Sequence, residues 1–116
     1  MSTANIGNLK GALIYAEKAV AEVKLGHDDD SGDNAAYSVR GQIQGLLGNL
    51  TEADQDLTFA EDHERKAVAW AQKESPAMVP GYRHALQNDL RFHAEALKRM
   101  NRPEDAQAKL DEAARL

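Results

Sequence analysis

Apolar residues in this chain recur at helical spacing almost from end to end, and the alternation expected of strands is nearly absent. Ile6, Leu9, Leu13, Ala16, Val20 and Val23 step by three or four residues. That spacing predicts one face of a helix of about five turns. Ser2 or Thr3 is its expected N-cap and Gly26 its stop. The segment from His27 to Asp33 is acidic and contains glycine, so it reads as a solvated loop, with Asp33 capping the second helix. Ala36, Val39, Ile43, Leu46 and Leu47 form the apolar stripe of that helix, which Gly48-Asn49 ends.

Thr51, with Asp54 three residues on, resembles a capping box opening a third helix. Its inward residues are Ala53, Leu57, Ala60, Ala67, Val68 and Ala71, and it is expected to reach Lys73. Glu64 interrupts the stripe, so the second half of this helix is expected to be partly exposed or paired. Ser75-Pro76 and Pro80-Gly81 are both start signals for a fourth helix, which turns Tyr82, Leu86, Leu90, His93, Leu97 and Met100 inward. Asn101 suits the left-handed conformation after it. Pro103 opens a fifth helix with Ala106, Leu110 and Ala113 on its inner side. Short turns make successive helices antiparallel. The predicted fold is a single all-α domain over 1–116, built of five antiparallel helices in hairpins, with a compact irregular bundle as the alternative.

Two stretches of the chain match in register. Gly41, Ala53, Leu57 and Ala60 are spaced as are Ala94, Ala106, Leu110 and Ala113. A small residue at the first of these positions lets two helices of a hairpin approach closely. The middle unit reads Tyr37-x2-Arg40-Gly41-x2-Gln44, then Ala53-x3-Leu57-x2-Ala60. The last reads Leu90-x2-His93-Ala94-x2-Leu97, then Ala106-x3-Leu110-x2-Ala113, and Ala12, Ala16 and Ala19 give a leading half-unit. This pattern resembles the tetratricopeptide repeat family. Several positions depart from it. Arg40 and His93 stand where leucine is usual, Gln44 replaces an aromatic, and the terminal proline is missing. Ala12, Ala53 and Ala106 are 41 and 53 residues apart, against a period of about 34 for the family.

The resemblance implies a module that binds a protein or peptide in a helical groove, without cofactor and without catalysis. Carried across, the inner positions are Ser38, Val39, Gln42 and Gly45 in the middle unit and Asn88, Arg91, Phe92, Glu95 and Lys98 in the last. The second set suits a peptide backbone or carboxylate. Gly41 fits close packing and Gly48 a helix stop; Gly45 reads as close packing of a neighbouring helix, with room for a ligand backbone or a second subunit as the other reading. A self-associating structural or regulatory bundle, a homodimer using this glycine face, is therefore the alternative reading.

Composition narrows the choice. The chain has 116 residues and no cysteine, which excludes disulfides and thiolate chemistry. Its net charge is −5, and residues 1–62 hold 4 Lys/Arg against 11 Asp/Glu. No dense basic stripe offers a nucleic-acid interface, and no apolar run is long enough for a bilayer. The first residues lack the basic and apolar regions of a signal peptide, so the cytoplasm is the expected location. The acidic loop places Gly32 one position early for a calcium loop and has no glutamate at the twelfth, so it is read as solvated. His63, His84, Asp89 and His93 are the candidates for a small metal-dependent helical enzyme, the third reading. His93 lies on the apolar seam, which points to a core histidine with satisfied hydrogen bonds. Trp70 is expected to fill the gap between the third and fourth helices, with an interface anchor as the alternative.

Overall fold

The computed structural model describes residues 3–24 and 30–116, with side chains over 7–22 and 35–116. Among the described residues the chain is all-α: α1 (Thr3–Lys24), α2 (Asp30–Leu47), α3 (Leu50–Glu74), a short 3-10 turn (Pro76–Met78), α4 (Val79–Arg99) and α5 (Pro103–Arg115). The predicted stop at Gly26, the loop residues His27–Asp29, and the Ile6 and Val23 side chains lie outside the described residues. α2 begins at Asp30, three residues before the expected Asp33 cap. A helix N-terminus favours acidic residues in its first turn, so the acidic segment continues as helix. The two start signals before α4 are both used: Pro76 opens the 3-10 turn and Pro80 sits in the first turn of α4.

Helix directions follow from the cross-chain contacts. A Cβ on Gly41 would meet Leu57, and one on Gly45 would meet Ala53, so α2 and α3 run antiparallel. Asp89 is hydrogen-bonded to Ser38, and Arg99 to Gly45, so α2 and α4 run parallel side by side. Lys109 reaches Glu61 and Arg65 reaches Glu112, placing α3 and α5 in the same relation. α2 and α4 thus form one layer and α3 and α5 another, in a slab of 45 × 36 × 20 Å. α1 packs on α2 through Ala16 and Val20. Ala53, Leu57, Ala60 and Leu90 have no exposed surface at the centre, and Ala94, Leu97 and Ala106 close the far end.

The repeat carries its own stop. Gly48 and Asn101, equivalent in the matched segments, both have positive φ, 88° and 61°. The Asn49 N–H donates to the Gln44 carbonyl at 2.8 Å and Arg102 N–H to Leu97 at 2.9 Å. With the bonds from Gly48 to Gly45 at 3.2 Å and from Asn101 to Lys98 at 3.0 Å, both ends form the Schellman arrangement.

Three expectations need correction. Val39 and Leu46 are about half exposed, at 50% and 44%, because Ala36, Gly41, Ile43 and Gln44 take the buried positions of α2. Trp70 is 51% exposed, since Val68 and Ala71 occupy the inward side at that end of α3. Thr51 is not the cap of α3. Asn49 holds that position without a side-chain bond, and the Asp54 carboxylate is drawn instead to His93.

Candidate functional site

Arg40 and His93 define a polar seam through the core. Arg40 on α2 donates two hydrogen bonds of 2.7 Å to Asp56 on α3. Gln44, one turn on, adds a 3.3 Å bond to the same carboxylate. A planar guanidinium meeting a carboxylate in this forked geometry is among the strongest side-chain pairings. Asp56 raises the Arg40 guanidinium further above its usual range, against the opposing effect of burial. Arg40 also lies over the Tyr37 ring, which packs on Phe59, and Phe59 stacks on His63.

His93 on α4 is buried, with both ring nitrogens engaged: Nδ1 with Glu61 at 2.7 Å and Nε2 with Asp54 at 2.6 Å. Two carboxylates can be served at once only by the doubly protonated ring. Burial opposes that charge, but the Glu61 and Asp54 bonds win and hold the imidazole above its usual range. Lys109 donates to the other Glu61 oxygen at 2.8 Å. Arg65 forms a forked pair with Glu112, at 2.7 Å on both arms, and this pairing holds the Glu112 carboxyl below its usual range. The α3 acids therefore clamp α4 and α5 from one side.

Asp89 is fully buried, and its Oδ1 accepts from Ser38 Oγ at 2.7 Å and Gln42 Nε2 at 2.8 Å. Gln42 also donates to Ser38 at 3.2 Å. Glu64, 2% exposed, lies within hydrogen-bonding reach of Asp89. Burial first, then that hydrogen bonding and the charges of Asp89 and Glu61, push the Glu64 carboxyl up to about 10. The sequence flagged Glu64 only as a break in an apolar stripe. Its partner lay 25 residues away, and nothing local pointed to it.

Of the predicted groove residues, Ser38 and Gln42 are half-buried and fasten α2 to α4. Gly45 gives its carbonyl to Arg99 at 2.8 Å, and a Cβ there would meet Ala53 at an ordinary 3.8 Å. Asn88, Arg91, Glu95 and Lys98 step along one side of α4, with Phe92 half-buried beside them. Asn88 pairs with His84 at 3.4 Å and Lys98 with Glu95 at 3.4 Å. The glycine face proposed for self-association is used internally, because Leu57 fills the space over Gly41 and Arg99 lies 3.3 Å from a Cβ placed on Gly48.

His63, His84 and His93, the described histidines, do not assemble. His63 bonds to the Phe59 carbonyl on its own helix and His84 to Asn88. Among the described residues no group of three or more His, Asp or Glu side chains is arranged to hold a metal ion. No described helix is long and apolar enough to cross a membrane. Comparison with protein-family models, curated proteins and solved structures finds no match to this chain.

Proposed function

We propose that the chain is a tetratricopeptide-repeat-like interaction module that holds an extended peptide or a protein segment along the α2/α4 face. The observation that carries this reading is the side-by-side, parallel placement of α2 and α4, fastened through Asp89 to Ser38 and Gln42. That layer presents exposed Val39 and Leu46 on α2 and the exposed cations Arg91, Lys98 and Arg99, against one acid, Glu95, on α4. Apolar anchors with nearby forked or mobile donors suit an extended backbone and its carboxylates. The role is that of an adaptor, working by binding alone in the cytoplasm. Affinity capture from the native host, followed by titration of the captured protein, tests it. The Arg91→Ala/Lys98→Ala double variant is expected to lose about a hundredfold in affinity or more, on the scale of two lost charge-assisted bonds. Unchanged affinity sinks the groove.

Self-association has one observation in its favour. α1 exposes Ile14 and Tyr15, and nothing lies within 4 Å of a Cβ placed on Gly7 or Gly11. A second copy packing on α1 would cover this face. Light scattering at micromolar concentration returning a mass of 12.7 kDa removes that reading.

A further inference from the structure

Asp89 Oδ2 and Glu64 Oε1 are buried side-chain atoms for which the structure provides no hydrogen-bond donor. The two carboxyls nevertheless lie close enough for Asp89 to act on Glu64 both through hydrogen bonding and as a like charge. Ionised carboxylates only accept, so two of them in contact leave each other unsatisfied and repel. One proton between them resolves both deficits.

We propose that Glu64 and Asp89 share a single proton, which latches α4 to α2 and α3 and is released in alkaline solution. The surroundings favour a proton over ionisation of both groups. On α3, Glu61 adds a third negative charge, and Arg65 is held by Glu112 and Asp62. On α4, His93 is committed to Glu61 and Asp54. α5 contributes Lys109 and Glu112, paired with Glu61 and Arg65. α2 offers neutral donors, Ser38 and Gln42, both directed at the other Asp89 oxygen. Glu64 therefore carries the proton and donates it to Asp89, whose negative charge the α2 donors stabilise. Losing it places two like charges in contact at the junction of three helices.

The test compares wild type with Glu64→Gln and Asp89→Asn, each of which supplies a permanent amide donor across the pair. The folded wild type holds one proton that its unfolded chain releases, so its folding constant carries a tenfold loss per pH unit from this pair between about pH 5 and 9. Glu64→Gln lacks that contribution, and its folding constant relative to wild type is expected to rise about tenfold per pH unit. The difference isolates the pair from His93, which titrates in both proteins. Carbon-13 NMR of glutamate-labelled wild type provides a second reading that needs no variant: one glutamate carboxyl is expected to remain protonated at pH 7. Hydrogen exchange, corrected for intrinsic rates, is expected to show α4 amides around Asp89 losing protection above about pH 9, and keeping it in Glu64→Gln. Parallel stability curves, or all glutamates ionised at pH 7, overturn the shared proton. A stoichiometric metal ion whose removal lowers the melting temperature at pH 7 also overturns it, placing a cation between the two carboxylates instead.

Discussion

Glycine at position 41 is required by a neighbour, whereas glycine at position 45 is not. A Cβ on Gly41 would lie 2.8 Å from Leu57 Cγ and 3.0 Å from Asp56 Cβ, both on a buried stretch of α3. Gly41→Ala is expected to destabilise the fold, since overpacking of about 1–3 kcal/mol outweighs the gain of about 1 kcal/mol from alanine in a helix. Gly45→Ala meets only Ala53 at 3.8 Å and is expected to stabilise by about 0.5–1 kcal/mol. Urea unfolding of the two variants gives opposite shifts in midpoint if this is right. The spacing in the sequence already assigned Gly41 to close packing. The sequence leaves Gly45 between close packing and room for a ligand or a second subunit, because it cannot show how far away Ala53 lies. Arg40 and His93 were legible as departures from a leucine position, but their partners were not. Asp56 is 16 residues from Arg40 and Glu61 is 32 from His93, separations that only the packing of helices bridges.

At the scale of elements, α1 is the least secured. It rests on α2, buries Ala16 and Val20, and leaves Ile14 and Tyr15 outside. Gly7 and Gly11 weaken it further, at about 1 kcal/mol each relative to alanine. α3 and α4, by contrast, bury both apolar and ionic residues against helices on more than one side. Native-state hydrogen exchange is expected to show α1 amides exchanging through local opening, with protection well below that of α3 and α4. Equal protection across the three helices would contradict this. Helix positions were readable because each has a 3.6-residue period and a recognisable stop, as Gly48 and Asn101 show. The start of α2 was misjudged because an acidic, glycine-containing segment has the composition of a loop and of a helix N-terminus alike.

For the molecule as a whole, the seam of ionisable groups makes stability depend on pH with a definite sign. Glu64 and His93 are both raised in the folded chain. A raised group contributes fully below its unfolded value and loses that contribution as pH climbs towards its folded one. The window therefore runs from about 4.5 to about 10 for Glu64 and upward from about 6.5 for His93. Each retained proton corresponds to a slope of about −1.4 kcal/mol per pH unit. Glu112 is lowered by Arg65, so its contribution is present above its unfolded value and fades as pH falls below it. Stability from urea titrations is thus expected to peak in mildly acidic solution, near pH 5, and to fall steadily towards pH 9. A flat profile or a maximum near pH 8 would refute the assignment. The sequence by itself determined the helices, their stops and the small residues that let hairpins close, because these depend on neighbours three to twelve positions away. Only the tertiary structure decided which charges are buried, which meet, and that Trp70, Val39 and Leu46 face outward. Those outcomes depend on how five helices share a limited interior, and each helix presents more than one candidate face to it.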